Sequence, residues 1–501
     1  MQRRRLFAQS ISALILHRST KTKGSLDGVL NWRQLTELKP SFAQGDLSRG
    51  LRTFPKGVAS DVKELSRESR VNFYSLFHKG QGAGEGRRLL TASATFAPHA
   101  VGTAVPVETV QLVAGGTIAK KRVAYWLFGC TGWVFSMVVL GGVTRLTKSG
   151  LSMTDWKFTG NLPPMSPKEW EAEFEKYQKS PEYQRVNKGM PLEKFKFIYW
   201  MEYAHRMWGR GLGIFFAVPF TYFLARGFIT QRLALRLSVL LAMGAGQGFV
   251  GWWMVKSGLE EPESEYSQPR VSPYRLAAHL ISAFAIYSGL LWTSLSVAMP
   301  EPNSNATQAV LQASNRVRRW IIPTAFLVGV TAMSGAFVAG NDAGHAFNTF
   351  PKMGDHWIPE GILHVQPSIR NFFENTATVQ FDHRVLATTT LLSIAGIWTL
   401  ARKLPLQPST RTLLTCALGM TAIQVTLGIS TLLMYVPVSL GAAHQAGALT
   451  LFSIVIALLH SLRRPHPYLL QTLSFNCTSS KLASQMIGVA AQRPPISMKS
   501  P

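Results

Sequence analysis

The sequence predicts an all-α polytopic membrane protein, in which eight transmembrane helices form two tandem four-helix bundles related by an internal repeat. Three observations favour this fold class: the composition, the length of the apolar runs, and motifs that recur in both halves of the chain. Of the 501 residues, 47% are apolar and 16% are charged. This balance is not that of an ordinary soluble domain.

The apolar residues are clustered in runs that approach the roughly 20 residues a helix needs to cross a bilayer. Eight helices are predicted, at about residues 122–144, 196–225, 233–255, 275–298, 319–341, 376–401, 411–435 and 439–461. Basic residues recur at the ends of these helices on one side of the membrane, and the longer loops of mixed charge lie on the other. The positive-inside rule therefore places both termini on the inner side.

The first 26 residues are basic and contain no acid before Asp27, which is typical of a mitochondrial presequence. A secretory signal is the alternative, but basic residues follow its apolar core at residues 6–16 without a clear cleavage site. Residues 1–119 are thus predicted to be a presequence and a weakly ordered extension, and residues 466–501 a C-terminal tail. The expected location is the mitochondrial inner membrane, with the termini in the matrix.

The net charge of +26 raises the question of nucleic-acid binding. The basic residues fall in the N-terminal extension and in short loops, without a basic stripe or an aromatic RNA-binding motif, so no nucleic-acid partner is expected. The three cysteines, Cys130, Cys416 and Cys477, form no CxxC pattern. This argues against covalent c-type haem, an iron–sulfur cluster and structural zinc.

Motifs in residues 120–300, the predicted first bundle, recur in residues 301–465, the predicted second bundle. The second predicted helix carries Glu-Tyr-Ala-His-Arg, and the sixth carries Gln-Phe-Asp-His-Arg. The third and seventh share Gln-x-x-x-Gly, and the fourth and eighth share Ala-Ala-His. The matching positions are residues 202–206 and 380–384, 247–251 and 424–428, and 277–279 and 442–444.

Four histidines thus occupy equivalent positions near one face of the membrane: His205, His279, His383 and His444. A single histidine on a transmembrane helix is often a hydrogen-bonding residue of the bundle interior. Four at repeat-related positions favour a function, since two facing imidazoles are what a six-coordinate haem iron requires. We predict two haem-iron sites, one held by His205 and His279 and the other by His383 and His444.

Other metals fit the pattern less well. A di-iron bundle needs several Glu-x-x-His units, and the predicted helices contain one, from Glu202 to His205. Zinc takes three or four protein ligands rather than two. Three further histidines, His345, His356 and His364, fall in the loop after the fifth helix, where solvated positions are expected.

The two halves differ chemically, because Glu202 of the first half is matched by Gln380 of the second. Glu202 lies three residues before His205, on the same helix face at about 5–6 Å. A carboxylate there can move protons beside a bound haem, whereas an amide cannot. The alternative is a carboxylate paired with Arg206 or Arg210. We predict that the first half is reactive and that the second holds an electron-transfer or structural haem.

In these motifs the sequence resembles the haem A synthase family in its mitochondrial form. The resemblance covers roughly residues 120–465, and the combination of motifs is far more specific than any one of them. The matching stretches are residues 141–156, 202–206, 247–251, 336–344, 382–384 and 443–445. One departure is that residues 143–196 lack the cysteine pair that bacterial members often carry, which puts a thiol step in doubt.

The resemblance implies oxidation of the C8 methyl group of haem O to a formyl group, by way of the hydroxymethyl compound haem I. The product would be haem A for cytochrome c oxidase assembly. Glu202 would be the catalytic carboxylate, His205 and His279 the ligands of haem O, and His383 and His444 the axial ligands of haem b. Ferredoxin and its reductase would supply electrons, and haem O synthase or a second copy of the chain are candidate partners.

Two other functions are alternatives. A di-haem b-type cytochrome acting in electron transfer would explain four histidines, but not a carboxylate in one half alone. A transporter would explain a repeat with polar residues in the membrane, but the halves run parallel and their polar residues lie near one face. The sequence therefore favours the enzyme.

Overall fold

The computed structural model describes residues 111–157, 159–262, 268–299 and 307–463. The predicted presequence and the predicted C-terminal tail lie outside these ranges. Within them the structure is helical and contains no strand, since its β-pairing is limited to two isolated bridges. The predicted all-α fold is confirmed.

Eight long helices, labelled here α1 to α8, make up the described fold. They are α1 Gly116–Leu146, α2 Leu192–Ala225, α3 Gln231–Leu259, α4 Pro273–Ala298, α5 Gln308–Gly340, α6 Thr376–Ala401, α7 Pro408–Leu433 and α8 Val438–Ser461. Most bounds agree with the prediction within a few residues. Helix α5 begins well before residue 319, because the Thr307 hydroxyl accepts from the Val310 amide and the first turns are too polar for an apolar-run prediction.

Seven of these helices in the described part of the chain are long and apolar enough to cross a membrane. The exception is α2, whose apolar sequence is interrupted by Glu202, Arg206 and Arg210. The chain is therefore a polytopic membrane protein, while the predicted number of eight spans is not confirmed by length and hydropathy. The charges that lower the hydropathy of α2 belong to the motif that marks the candidate site.

Local sequence signals explain several of the helix ends. Thr230 caps α3 by accepting from the Leu233 amide, and Asn375 caps α6 by accepting from two backbone amides. Pro273 and Pro408 open α4 and α7, where the missing N–H of proline costs no hydrogen bond. The signals at α4 and α6 fix where these two helices begin, and so fix the depth of His279 and His383.

Each half of the fold closes into a ring of four helices. In the first half α1 packs against α2 and α4, and α3 packs against α2 and α4; the helices α5 to α8 repeat this arrangement. The halves meet where α1 and α4 contact α8 and where α4 contacts α5. Because lipid is as apolar as leucine, such contacts depend on close van der Waals packing.

Glycine lets the halves approach closely at two related places. A Cβ atom on Gly441 of α8 would lie 2.9 Å from the side chain of Leu146 on α1. On the other side, a Cβ on Gly340 of α5 would lie 2.9 Å from Pro273 of α4. Both interfaces therefore use a glycine of the second half, which lies on α8 in one interface and on α5 in the other.

The loop between α1 and α2 folds over the end of the first half. It contains the short helices Pro167–Gln178 and Pro181–Arg185. Their aromatic side chains pack on the start of α2, where Tyr177, Phe195 and Tyr199 are almost fully buried. This packing covers the end of α2 that carries the candidate site.

Residues 111–119 were predicted to belong to the weakly ordered extension, and here the structure corrects the prediction. Val113 is buried and forms an antiparallel bridge with Ile229, and the Ala114 amide donates to the Phe228 carbonyl at 2.8 Å. The segment pairs with the turn between α2 and α3. Such pairing depends on residues distant in sequence, which a local pattern does not reveal.

Candidate functional site

Each of the four predicted histidines lies against a glycine of the preceding odd-numbered helix. A Cβ atom built on that glycine would lie 2.8 to 3.2 Å from the histidine Cε1 atom, so any larger residue would displace the ring. The pairs are His205 with Gly141, His279 with Gly251, His383 with Gly335, and His444 with Gly428. The glycines of the Gln-x-x-x-Gly motif were visible in the sequence, but their role as the surface beneath a ring was not predicted.

The structure brings together the residues of both predicted pairs. The rings of His383 and His444 have centroids 6.4 Å apart, with planes at 83°. Two imidazoles that bind one metal ion from opposite sides through bonds of about 2 Å have centroids about 6 Å apart, so this spacing fits a shared iron. His205 and His279 are close enough to interact electrostatically. That these histidines bind iron remains a prediction.

In the second pair a serine orients one ring. Ser334 Oγ lies 2.7 Å from His383 Nδ1 and donates to the Thr331 carbonyl at 2.8 Å. A hydroxyl has one hydrogen to donate, so Ser334 accepts from Nδ1–H of the ring. The Nε2 atom of His383 is then left with its lone pair, which is the form that binds a metal.

In the first pair the corresponding atom has no such support. His205 Nδ1 is buried and has no hydrogen-bond partner in the described structure. The residue before Gly141 is Leu140, where the second half has Ser334 before Gly335. An apolar side chain thus replaces the hydroxyl. A buried imidazole nitrogen without a partner is unusual and calls for a functional explanation.

A glutamine supports the other histidine of each pair. The amide nitrogens of Gln247 and Gln424 lie 3.1 Å from Nδ1 of His279 and His444, and each donates to the carbonyl of the same histidine. Ser282 donates to Gln247 Oε1 at 2.5 Å, whereas Gln424 Oε1 is buried without a partner.

Glu202 is buried on α2, one helical turn before His205, and both of its carboxylate oxygens accept hydrogen bonds. Oε1 pairs with Arg206 at 2.5 Å, and Oε2 accepts from Ser152 Oγ at 2.7 Å and from the Met153 amide at 2.8 Å. Arg206 also donates to the Met153 and Asp155 carbonyls. The alternative of a carboxylate paired with Arg206 is therefore present in the structure. The pair fastens the loop after α1 to α2.

Gln380 performs the same fastening in the second half. Its amide nitrogen donates to the carbonyls of Ala343 and Ala346, and its oxygen accepts from Arg384 at 3.0 Å. The replacement of Glu202 by Gln380 between the two halves thus matches a difference between the loops that these residues contact. Glu202 receives bonds from loop donors, whereas Gln380 gives bonds to loop acceptors. A catalytic role for Glu202 is not tested by these contacts.

A second buried carboxylate, Glu182, lies in the loop over the first half. Its Oε2 accepts from the Tyr177 hydroxyl at 3.0 Å, and Asn187 donates to the same hydroxyl at 2.7 Å. The pKa of Glu182 is raised to about 7, mainly by burial and also by the charge of Glu202, whereas the hydrogen bond from Tyr177 and the charge of Lys148 oppose the rise. Burial in the same place raises the pKa of Tyr177. The sequence analysis did not identify Glu182, because nothing in its local pattern marks it as buried.

The donor set determines which group the site can hold. The described residues contain no cluster of three or more His, Cys, Asp and Glu side chains suited to a bare metal ion. A haem brings four nitrogens of its own and needs two more ligands, which a histidine pair supplies. The glycine surfaces, the 6.4 Å ring spacing and the free Nε2 of His383 fit such a group. The loop histidines His345, His356 and His364 are exposed, as expected.

Comparisons with known proteins show the family of the chain. Residues 124–456 match the family model COX15-CtaA, described as cytochrome oxidase assembly protein. A protein named heme A synthase COX15 from Arabidopsis thaliana is 64% identical over 86% of this chain and 94% of its own length. One of the same name from Bos taurus is 50% identical over 69% of this chain and 83% of its own.

A bacterial relative extends the comparison. The protein named heme A synthase from Nitrosospira multiformis is 46% identical over 72% of this chain and 98% of its own length. The family model spans more than half of the chain and includes all four histidines, Glu202 and the glycines beneath the rings. The chain belongs to the COX15-CtaA family of cytochrome oxidase assembly proteins.

Proposed function

We propose that this chain is a haem A synthase, an oxidoreductase that converts the C8 methyl group of haem O to the formyl group of haem A by way of haem I. The observation that carries the proposal is the pair of histidine sites built on one scaffold but supported differently, with a buried carboxylate in the first half alone. The names of its relatives agree with this reaction. Two equivalent structural haems would not need such a difference.

In this proposal His205 and His279 hold the substrate haem O, and His383 and His444 hold a resident haem b. A bound haem supplies the iron-centred redox chemistry that an unactivated methyl group requires. The protein supplies the remainder: the glycine surfaces set the ring positions, and the glutamines and Ser334 fix the orientation of three of the four rings.

Glu202 is proposed as the carboxylate of the first site. It lies one helical turn before His205 and is 2% exposed, so a charge there is shielded from water. The ion pair with Arg206 places a positive charge beside this carboxylate. Its contacts with Ser152 and Met153 also place the loop after α1 beside the site. We assign it both tasks, anchoring this loop and handling protons near the reacting methyl group.

The proposed setting is the mitochondrial inner membrane, with the termini in the matrix and the histidine pairs toward the intermembrane space. The basic residues at the inner helix ends support this orientation. Ferredoxin and its reductase are the proposed electron donors. Haem O synthase, as the source of the substrate, and a second copy of the chain are proposed partners.

The test is to express the full chain in cells that make haem O but lack their own haem A synthase, and to extract and chromatograph the haems. We expect haem A to appear. The control is His364→Ala, a change at an exposed loop histidine, which should give the same amount of haem A. Protein that binds haem b and yields no haem A would support the cytochrome alternative instead.

A further inference from the structure

We propose that Leu140 and Ser334 determine which histidine pair releases its haem and which retains it. This inference rests on the proposed function, in which haem O must enter and haem A must leave the first site while haem b stays in the second. Such a reaction needs one exchangeable site and one permanent site. The repeat supplies two histidines in both sites. The difference in haem release therefore has to come from the residues that contact the histidine rings.

The permanent site is defined by the hydrogen bond from His383 to Ser334. The Ser334 hydroxyl donates its one hydrogen to the Thr331 carbonyl. Its Oγ atom therefore accepts a hydrogen bond from Nδ1–H of His383 at 2.7 Å. This bond fixes the tautomer, prevents rotation of the ring and makes Nε2 a stronger ligand. Breaking such a bond to a metal-binding histidine typically weakens metal affinity by about 10–100-fold.

The exchangeable site is defined by the absence of that bond in the first half. Leu140 precedes Gly141 as Ser334 precedes Gly335, and both glycines lie beneath the histidine ring. In the described structure His205 Nδ1 is buried without a partner. Neither the tautomer nor the ring orientation of His205 is fixed, so it is the weaker ligand.

The ring of the other ligand of the first pair, His279, is held by a neighbouring side chain. The weaker ligand of this pair is therefore His205. Gln247 contacts His279 Nδ1 at 3.1 Å and is itself held by Ser282. The first site therefore combines one histidine whose ring is held by a neighbouring side chain, His279, with one whose ring is not, His205. Release of His205 frees one side of the substrate haem and lets the product leave while His279 still orients it.

The experiment measures haem loss from the full-length protein in detergent, with excess apomyoglobin as the haem acceptor. Wild-type protein should lose haem in a fast phase from the first pair and a slow phase from the second. Ser334→Ala should accelerate the slow phase by about 10–100-fold. Ser334→Thr keeps the hydroxyl, so its slow phase should have the wild-type rate. Leu140→Ser should slow the fast phase, whereas Leu140→Ala, which adds no acceptor, should not.

The midpoint potential of the second haem is a second readout. It distinguishes a role of Ser334 in hydrogen bonding to His383 from a role in packing alone. Loss of the bond from Nδ1–H makes His383 a weaker donor to iron, so the midpoint potential of the second haem should rise in Ser334→Ala and return in Ser334→Thr. Unchanged release and potential in the Ser334 and Leu140 variants would overturn the inference even if haem A is made. Conversely, the expected changes in a protein that makes no haem A would contradict the proposed function and leave the roles of these two residues supported.

Discussion

Gly142 of α1 makes room for the side chain of Gln445 of α8, whose amide nitrogen donates to the Val138 carbonyl at 3.0 Å. A Cβ atom on Gly142 would overlap the amide oxygen of Gln445. The neighbouring Gly141 lies beneath His205, and Gln445 directly follows His444. Two dipeptides, Gly-Gly on α1 and His-Gln on α8, therefore connect the two histidine pairs across the interface between the halves.

The first prediction is that Gly142→Ala displaces Gln445 and destabilises the protein by about 1–3 kcal/mol, because overpacking and a lost buried hydrogen bond have costs of this size. Thermal unfolding in detergent, followed by the haem absorbance, measures the change. At the other interface between the halves, Ala336 of α5 and Leu280 of α4 take the corresponding positions, within one apolar cluster. The double variant Gly142→Ala/Gln445→Leu should therefore recover most of the stability. A double variant no more stable than Gly142→Ala would contradict this explanation.

The second prediction concerns the glycine beneath His444. A Cβ on Gly428 would lie 2.8 Å from His444 Cε1, so Gly428→Ala should push the ring away from its partner and reduce the haem b bound after purification. The matched control is Gly419→Ala on the same helix, where a Cβ would meet nothing within 4 Å. Equal haem content in the two variants would show that the ring tolerates the displacement.

The third prediction is that His383→Ala or His444→Ala removes the b-type band from the reduced-minus-oxidised spectrum. Each replacement leaves one imidazole of the pair, which cannot complete six-coordinate iron. His356→Ala, at an exposed loop position, should leave the band unchanged. A normal band in either variant of the pair would exclude that residue as a ligand.

Much of the fold could be predicted from the sequence because transmembrane helices are long apolar runs and the repeat carries recognisable motifs. The helical class, most helix bounds and the family were predicted in this way and are confirmed. The polar start of α5 and the pairing of residues 113 and 229 were missed. Neither is marked by hydropathy, since one depends on a capping hydroxyl and the other on distant residues.

The site was predicted less completely. The four histidines and their pairing follow from the repeat, and the structure places the partners together. The supports of the rings were not predicted, because Ser334 and the glycines look like ordinary helix-packing residues in sequence. Glu202 was singled out as a carboxylate beside His205, and its hydrogen bonds with Ser152 and Met153 depend on a loop fold that no motif encodes.

The fourth prediction is that Glu202→Gln abolishes haem A formation while haem binding persists. An amide keeps the shape, but it cannot present acceptors to both Arg206 and the loop donors Ser152 and Met153. Haem chromatography measures the product, and the absorption spectrum measures binding. The matched control is Glu193→Gln, the same exchange at an exposed carboxylate of the same helix, which should not stop the reaction. Full activity of Glu202→Gln would rule out the catalytic role.

The fifth prediction concerns pH and the loop that covers the first half. The folded pKa of Glu182 is about 7, above the ordinary 4.5, so the folded loop binds more protons than the open loop between these values. Stability of the loop is then greatest at low pH, falls as the pH rises from about 4.5 to about 7, and is level above that. Since each pKa unit corresponds to about 1.4 kcal/mol, the fall between these two pKa values is about 3 kcal/mol.

Hydrogen exchange of residues 180–187 reports this local opening. In wild-type protein, protection of these amides should decrease between pH 5 and pH 8 after correction for the intrinsic exchange rate. Glu182→Gln removes the titration while keeping a partner for the Tyr177 hydroxyl, so its protection should not change with pH. The exposed Glu193 in α2 offers a control, since Glu193→Gln should retain the wild-type pH dependence. A pH-independent wild type would show that Glu182 titrates near its ordinary pKa, because the loop would then gain no proton on closing.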